Sequence, residues 1–138
     1  MNENNCVFCK IISGEFSSTT VYEDENFKAI FDISPASKGH TLVLAKNHVE
    51  NIFEMDEVIA TNALIVIKKI ATAIKEVLNC DGINIVQNNG EAAGQSVNHL
   101  HFHIIPRYTD DHVMTPWKNG SYEDGEAASL ANQIKANL

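Results

Sequence analysis

The hydrophobic and polar positions along the chain predict several short strands and one long helix. Segments of alternating or β-branched character are typical of strands, and five such segments cover residues 20–23, 27–31, 40–45, 83–87 and 97–105. Between the third and the fourth, apolar residues recur every three or four positions, at Ala63, Ile67, Ile70, Ile74 and Leu78. Residues 56–78 therefore predict an amphipathic helix. This order of elements indicates an α+β fold with a five-stranded antiparallel sheet.

Glycine and proline positions predict where these elements end. Gly82 would cap the long helix, and Pro106 would end the last strand, because proline has no N–H to donate to a sheet. After that strand the chain becomes polar, and residues 126–137 predict a short C-terminal helix. The length of 138 residues suits one domain. We expect its motif-bearing core to span residues 6–107 and its tail to span residues 108–138.

Composition and charge exclude several classes of partner. Ten basic residues against eighteen acidic residues give a formal net charge of −8. Nucleic acid and anionic membranes both favour a basic surface, so we expect neither as a partner. No stretch approaches the roughly 20 apolar residues of a membrane helix, and the first residues lack the basic and apolar regions of a secretion signal. We therefore expect a cytoplasmic protein.

Three histidines alternate with apolar residues in the last predicted strand. Alternate side chains of a strand share a face, so His99, His101 and His103 would lie in a row, about 7 Å apart. Leu100 and Phe102 would face the core. Three adjacent imidazoles pack poorly and repel one another when protonated, which favours a functional role. The row could bind a metal with a further ligand, or it could supply a neutral imidazole as a nucleophile.

The segment before this row has the composition of a phosphate-binding loop. Residues 88–96 read Asn-Asn-Gly-Glu-Ala-Ala-Gly-Gln-Ser. Glycines let backbone N–H groups approach an anion closely, and the amide and hydroxyl side chains add neutral donors. An ordinary connection between two strands would explain any one of these residues. The whole set beside three histidines favours chemistry on a phosphate.

These segments together resemble the histidine triad (HIT) family of nucleotide hydrolases and transferases, and the bacterial Hint-like branch is the most similar. The likeness covers residues 6–107 and consists of five motifs, Cys-x-x-Cys-Lys-Ile-Ile at 6–12, Phe-Asp-Ile-Ser-Pro at 31–35, Lys-Gly-His-Thr-Leu-Val at 38–43, Gly-Gln-Ser-Val at 94–97 and His-Leu-His-Phe-His-Ile-Ile at 99–105. The resemblance implies the fold of that family. It also implies a homodimer with the long helix at the contact.

The resemblance further implies hydrolysis of a nucleoside phosphoramidate, such as AMP joined to an amine, through a nucleotidyl-histidine intermediate. His101 would attack the α-phosphorus, while a backbone carbonyl accepts a hydrogen bond from its Nδ1. His103 would bind the phosphate or the leaving group, and His40 would support the triad. Ser96 would assist the departing atom. The oxygens of the α-phosphate would be held by four loop residues, Asn88, Gly94, Gln95 and Ser96.

The nucleoside end of the substrate is also assigned by the resemblance. Asp32 would accept hydrogen bonds from the ribose hydroxyls. A purine base would lie between four apolar residues, Ile11, Phe16, Phe31 and Ile33. From the sequence pattern alone, these four are better explained as core residues. No organic cofactor is implied.

Cys6-x-x-Cys9 is a second candidate site. In a chain without an export signal, this spacing favours metal binding or redox chemistry over a disulfide. A closed tetrahedral zinc site needs two more ligands, and the resemblance implies that they are His48 and His99. The zinc would then be structural and would join the N-terminal segment to the catalytic strand. The alternative is a pair of reduced cysteines packed as small apolar residues.

Three other functions remain open at the level of sequence. The first is hydrolysis of dinucleoside polyphosphates, because the histidine motif is followed by Pro106-Arg107, which is also seen in the branch of the family that cleaves those substrates. A non-catalytic, zinc-stabilised module for purine nucleotides would use His101 for binding only. A metal-dependent hydrolase would use the three histidines as ligands, and a chelator would abolish its activity at once.

Overall fold

The computed structural model describes residues 3–138 and contains one five-stranded sheet. Its strands are β1 (Thr20–Glu23), β2 (Phe27–Phe31), β3 (Thr41–Ala45), β4 (Gly82–Val86) and β5 (His101–Arg107). They are arranged in the order β1-β2-β3-β5-β4, and every neighbouring pair is antiparallel. The predicted α+β class and five-stranded antiparallel sheet are therefore confirmed.

Three α-helices accompany the sheet, namely α1 (Val7–Ile12), α2 (Glu57–Leu78) and α3 (Glu126–Lys135). The side chain of Asp56 accepts a hydrogen bond from the N–H of Ile59 and so begins α2. The apolar stripe of α2, including Ile67 and Ile70, is buried against the sheet, as its periodicity predicts. All ten residues of α3 are exposed. Within residues 3–138, no helix is both long and apolar enough to span a bilayer.

The two faces of the sheet carry different side chains. On the α2 face, Phe102 and Ile104 of β5 belong to the main core. The opposite face, which α1 covers, holds a smaller apolar cluster of Cys6, Phe8, Ile30, Leu42 and Leu44. His101 and His103 alternate with Phe102 along β5, so both project toward the α1 face. The catalytic candidates therefore lie on the face opposite the long helix.

The ends of three elements differ from the prediction. Asn79 ends α2 in the left-handed conformation, with φ 49° and ψ 42°, and Gly82 begins β4 instead of capping the helix. Pro106 lies inside β5, where it faces Ile83 of β4. Since β3 pairs with β5 only as far as Ile104, Pro106 needs no hydrogen bond on that side. The last strand begins at His101, so His99 precedes it.

At Gly39, the turn before β3 packs closely against α2 and β5. Its φ is +91°, and a Cβ there would lie 2.5 Å from Leu78 Cδ1 and 3.4 Å from Pro106 Cγ. Glycine is favoured at this position because the backbone is left-handed and because a Cβ would have to displace the end of the Leu78 side chain. The turn fixes where His40, the next residue, enters the face of the sheet that carries His103.

We expect Gly39→Ala to lower the free energy of unfolding by about 2 to 3 kcal/mol, because it adds a clash with Leu78 to left-handed strain. Gly14→Ala is the matched control. Gly14 has a φ of +84°, but a Cβ there would meet no atom within 4 Å, so its cost should be about 1 kcal/mol. Urea unfolding of both variants measures the difference. Equal losses would show that the close packing of Gly39 contributes nothing.

Candidate functional site

His101 is held as a neutral ring with a free Nε2. The residue is 4% exposed, and its Nδ1 lies 2.6 Å from the backbone carbonyl oxygen of His99. Because a carbonyl oxygen can only accept, Nδ1 carries the ring proton and Nε2 retains its lone pair. Burial lowers the pKa of His101. The ring can therefore act as a nucleophile at neutral pH.

Phe8 packs against the same ring. Its ring edge contacts His101 with centroids 5.0 Å apart and His99 with centroids 5.8 Å apart. Phe8 lies in α1 and is 7% exposed. Sequence reasoning missed this contact, because an apolar helix residue carries no chemical signature. The one available indication was its position between Cys6 and Cys9, which ties it to the other candidate site.

His40 sets the protonation pattern of His103. The backbone N–H of Ala36 donates to His40 Nδ1 over 3.0 Å, so the neutral His40 ring has its proton on Nε2. That Nε2 lies 2.9 Å from His103 Nδ1 and donates to it. His103 consequently carries its proton on Nε2, which makes Nε2 a donor. Burial lowers the pKa of His40 and lowers that of His103 to about 4, so both rings are neutral near pH 7.

Asp32, His40 and His103 have ligand atoms within 4.8 Å of one another, which is close enough for a metal ion. The hydrogen bonds argue against one. A cation at His40 Nε2 would displace its proton while Ala36 N–H occupies Nδ1, which would leave an unfavourable imidazolate. One carboxylate oxygen of Asp32 accepts from the Ser34 N–H, and the other lies 3.8 Å from His40 Nε2. We interpret the three residues as a hydrogen-bonding group.

The loop after β4 folds into a tight turn at Glu91–Ala93, and several of its donors bond within the loop. The N–H groups of Gly94 and Gln95 donate to the carbonyls of Glu91 and Gly90. The Gln95 side chain accepts from Gly90 N–H and donates to two further carbonyls. Gly94 and Gln95 therefore shape the loop. Their backbone N–H groups are bonded within it, whereas the resemblance implied that these residues hold the phosphate.

Two other residues of this loop, Ser96 and Asn88, have side-chain donors that are open to a ligand. Ser96 is exposed, and neither its hydroxyl nor its N–H has a partner within the described part of the chain. Asn88 Nδ2 makes one long contact, 3.4 Å to the carbonyl of Gly94. Both residues are thus suited to bind the oxygens of a phosphate.

Phe31 does not lie with the other apolar residues assigned to the base. It shares the α2 face of β2 with Phe27 and Ala29 and lines a groove beside Lys69 and Val77 of α2. Strand alternation explains the difference, since Ile30 and not Phe31 faces the α1 side. We therefore remove Phe31 from the set of nucleoside contacts.

Three apolar candidates remain, and two of them, Ile11 and Phe16, lie at α1. Ile11 packs against the apolar cluster beneath α1. Phe16 is half-exposed, with the ammonium of Lys10 5.1 Å from the centroid of its ring. Ile33 follows Asp32 and is 97% exposed. A residue so exposed stabilises no core, which is compatible with contact to a ligand.

Two thiols and two imidazoles converge beside α1, from Cys6, Cys9, His48 and His99. Nδ1 of His99 lies 3.3 Å from Cys6 Sγ, 3.5 Å from Cys9 Sγ and 3.1 Å from His48 Nδ1. Zinc–ligand bonds of about 2.0 to 2.3 Å separate neighbouring tetrahedral ligands by about 3.3 to 3.8 Å. The two sulfur–nitrogen separations lie in this range, and the nitrogen–nitrogen separation is slightly shorter. Nε2 of His99 donates to the carbonyl of Ala45 over 2.6 Å, which leaves Nδ1 unprotonated. These four residues can bind a metal ion.

The profile of the HIT domain family matches residues 13–110, and the chain belongs to this family. A Bacillus subtilis relative, Protein hit, is 44% identical over 137 residues, which cover 97% of this chain and 94% of the relative. The adenosine 5'-monophosphoramidase of Schizosaccharomyces pombe is 33% identical over 97% of this chain and 98% of its own length.

Solved structures of the family superpose on this chain. A HIT family protein from Bacillus subtilis has a TM-score of 0.92 and 43% identity, with 97% of each chain covered. A zinc-bound histidine triad family protein from Mycobacterium smegmatis has a TM-score of 0.77 and 37% identity, with 98% and 99% covered. The resemblance stated from the motifs and the fold that it implied are confirmed.

The low pKa of His103 predicts a loss of stability in mild acid. Between pH 6.5 and about pH 4, the unfolded chain takes up a proton on this residue and the folded protein does not. The free energy of unfolding therefore falls as the pH falls through this range. His103→Asn should reduce that fall by at most about 3 kcal/mol. Urea unfolding at several pH values, with the exposed His112→Asn as control, tests this; an unchanged pH dependence in His103→Asn would contradict it.

Proposed function

We propose that the protein hydrolyses nucleoside phosphoramidates, in which a nucleoside monophosphate is joined to an amine. The observation that carries the proposal is the buried, neutral ring of His101, whose Nδ1–H is bound to a carbonyl and whose Nε2 is free. An imidazole in this state is a nucleophile for phosphorus. The activity named for the Schizosaccharomyces pombe relative supports a phosphoramidate as the substrate.

In the first step, Nε2 of His101 forms a bond to the α-phosphorus, the bond from phosphorus to the amine nitrogen breaks, and that nitrogen takes a proton from solvent and leaves as the neutral amine; the water that attacks in the second step returns a proton to solvent. His103 offers its Nε2–H to a phosphoryl oxygen or to the departing nitrogen, and the Ser96 hydroxyl offers a second neutral donor. Fixed neutral donors suit a transition state in which negative charge spreads over phosphoryl oxygens. In the second step, water attacks phosphorus, releases the nucleoside monophosphate and restores His101.

The nucleoside would bind at the edge of the same face. Asp32 keeps a carboxylate oxygen for the ribose hydroxyls, because only its other oxygen accepts from Ser34. Ile11, Phe16 and Ile33 offer apolar surface to a purine base. Apolar contacts of this kind predict weak discrimination between purines, and the substrates would be purine nucleoside monophosphate derivatives.

We further propose that zinc is the resident ion of the Cys6, Cys9, His48 and His99 cluster and that its role is structural. Four sulfur and nitrogen ligands complete a tetrahedron, so no position remains for a substrate. The zinc-bound neighbour from Mycobacterium smegmatis supports the choice of metal. When bound, zinc would join α1 to His99, whose own carbonyl orients His101.

The other candidate functions receive less support. Arg107, the residue that suggested a dinucleoside polyphosphate hydrolase, bonds to Asp111 and Asn84 at the far end of β5 and is not directed to the triad. A hydrolase with the three histidines as metal ligands conflicts with their geometry, since His99 Nδ1 belongs to the thiol cluster. A binding module without catalysis is distinguished by the His101 experiment below.

We also propose a cytoplasmic homodimer. Leu64 and Ile65 are exposed on the outer face of α2, and the edge strand β4 carries the exposed Ile85. A second copy could cover these apolar side chains and the open edge of the sheet. Reduced thiols at Cys6 and Cys9, which metal binding requires, suit the reducing cytoplasm.

We expect His101→Asn to lower turnover of an AMP-amine substrate by at least about a thousandfold, since no nucleophile remains. AMP affinity should change little, because the donors and the nucleoside surface are retained. Rapid-quench kinetics and calorimetry measure the two quantities, and His112→Asn in an exposed loop serves as the control. Turnover that survives in His101→Asn would favour a mechanism without this nucleophile.

We expect Cys9→Ser to lose the bound zinc and to lower the free energy of unfolding by about 3 kcal/mol or more, because metal binding stabilises only the folded chain. Cys80→Ser is the matched control, since Cys80 is buried at the end of α2, outside the cluster. Elemental analysis should give one zinc per chain in the wild type and in Cys80→Ser. The same zinc content in Cys9→Ser would refute the ligand set.

A further inference from the structure

The loop of residues 32–40, between β2 and β3, carries Asp32 at one end and His40 at the other. Its ends are joined, because the N–H of Asp32 donates to the carbonyl of His40 over 2.9 Å. Between them, the residues from Ile33 to Ala36 are exposed, so burial does little to hold this part of the loop in place. The Ala36 N–H must nevertheless stay close to His40 Nδ1, since this bond sets the tautomer of the ring.

Ser37 joins the loop to β5. Its hydroxyl donates to the carbonyl oxygen of Pro106 over 2.7 Å. Within the described part of the chain, no other hydrogen bond runs from residues 33–38 to a strand or a helix. The carbonyl of Ser37 also accepts from the N–H of His40 over 3.0 Å. One half-buried residue thus connects the loop both to the strand and to the histidine.

The carbonyl of Pro106 is available for this bond because β3 stops short of it. The next carbonyl, of Arg107, accepts from Asp81 before β4, so that of Pro106 points to the opposite side, where β3 pairs only as far as Ile104. Pro106 is buried, and a buried carbonyl without a partner is unfavourable. The Ser37 hydroxyl supplies the donor that β3 does not.

The contact of the loop with β5 reaches the catalytic face through two further hydrogen bonds. Ala36, the neighbour of Ser37, donates to Nδ1 of His40, and Nε2 of His40 donates to Nδ1 of His103. A loop that moved away from β5 would lose the first of these bonds. The proton of His40 could then move to Nδ1, and the ring would no longer donate to His103.

We propose that Ser37 is a positioning residue for the reaction: its hydroxyl holds the loop on β5, and through His40 the loop keeps His103 as an N–H donor to the phosphate. The proposal rests on the proposed hydrolysis and adds no covalent step to it. Asp32 is held separately, because the N–H of Ser34 donates to its carboxylate. The nucleoside should therefore bind as before when Ser37 is changed.

Ser37→Ala should lower kcat for an AMP-amine substrate by about threefold to tenfold, the size expected for one hydrogen bond. The dissociation constant of AMP should change by less than about twofold on the same scale. Ser37→Thr and Ser37→Val form a matched pair, since their side chains have the same shape and only threonine keeps a hydroxyl. Threonine should retain kcat, and valine should lose as much as alanine. Added to His40→Asn, Ser37→Ala should have almost no further effect, because the residue through which it acts is gone.

Nitrogen NMR spectra of the histidine rings measure the tautomer of His103 without any substrate. The wild type and Ser37→Thr should show an unprotonated Nδ1 and a protonated Nε2, whereas Ser37→Ala should show a mixture of the two tautomers. Thr109→Val is the control. It removes another hydroxyl donor near the same end of β5, 3.1 Å from a carboxylate oxygen of Asp81, and it should leave both kcat and the tautomer unchanged.

The two measurements separate failure of the positioning role from failure of the proposed function. An unchanged tautomer of His103 in Ser37→Ala, or equal kcat in Ser37→Thr and Ser37→Val, would overturn the role of Ser37 alone. Weaker AMP binding with unchanged kcat would also overturn it, since Ser37 would then act on the nucleoside. A wild type that cleaves no AMP-amine substrate would overturn the proposed function, and the NMR comparison would still decide whether Ser37 holds the tautomer of His103.

Discussion

The hydrogen bond from Nδ1 of His101 to the carbonyl of His99 is the constraint on which the catalytic face depends. It fixes the tautomer of His101, the candidate nucleophile, and His99, which supplies the carbonyl, is itself held by both of its ring nitrogens. His99 donates from Nε2 to Ala45 at the end of β3, while its Nδ1 lies among the two thiols and His48. His99 thus joins the sheet, the candidate zinc cluster and the candidate nucleophile. A change in the geometry of any one of the three should therefore shift the other two.

Burial and neutral hydrogen bonding explain how several imidazoles can share one face. Protonated rings at this spacing would repel one another, and desolvation lowers the pKa of His99 and of His103 to about 4. Ala36 N–H donates to His40, and His40 in turn donates to His103, so these two neutral rings each have a defined tautomer. An arrangement of this kind offers one nucleophilic nitrogen and one N–H donor to a phosphate.

Periodicity could predict the sheet and the long helix, and motif spacing could identify the histidine row and Cys6-x-x-Cys9. The further members of the two clusters, His40 and His48, were assigned only by the resemblance to the family. Sequence patterns could not assign faces at the ends of strands. Phe31 belongs to a motif of the family, yet alternation from Phe27 turns it toward α2. The roles of Gly94 and Gln95 depend on the internal bonds of a tight turn, and the contact of Phe8 with two imidazoles depends on tertiary packing. Such features have no local signature in the chain.

The most direct test of this account is to trap the intermediate. The protein would be mixed with an AMP-amine substrate and quenched within milliseconds in alkaline denaturant, because bonds from phosphorus to histidine nitrogen are labile in acid. Fragmentation of the peptide that contains residues 99–103 would then locate the nucleotide. The account predicts AMP attached to His101 and to no other histidine. An adduct on His103, or turnover without any adduct, would contradict it.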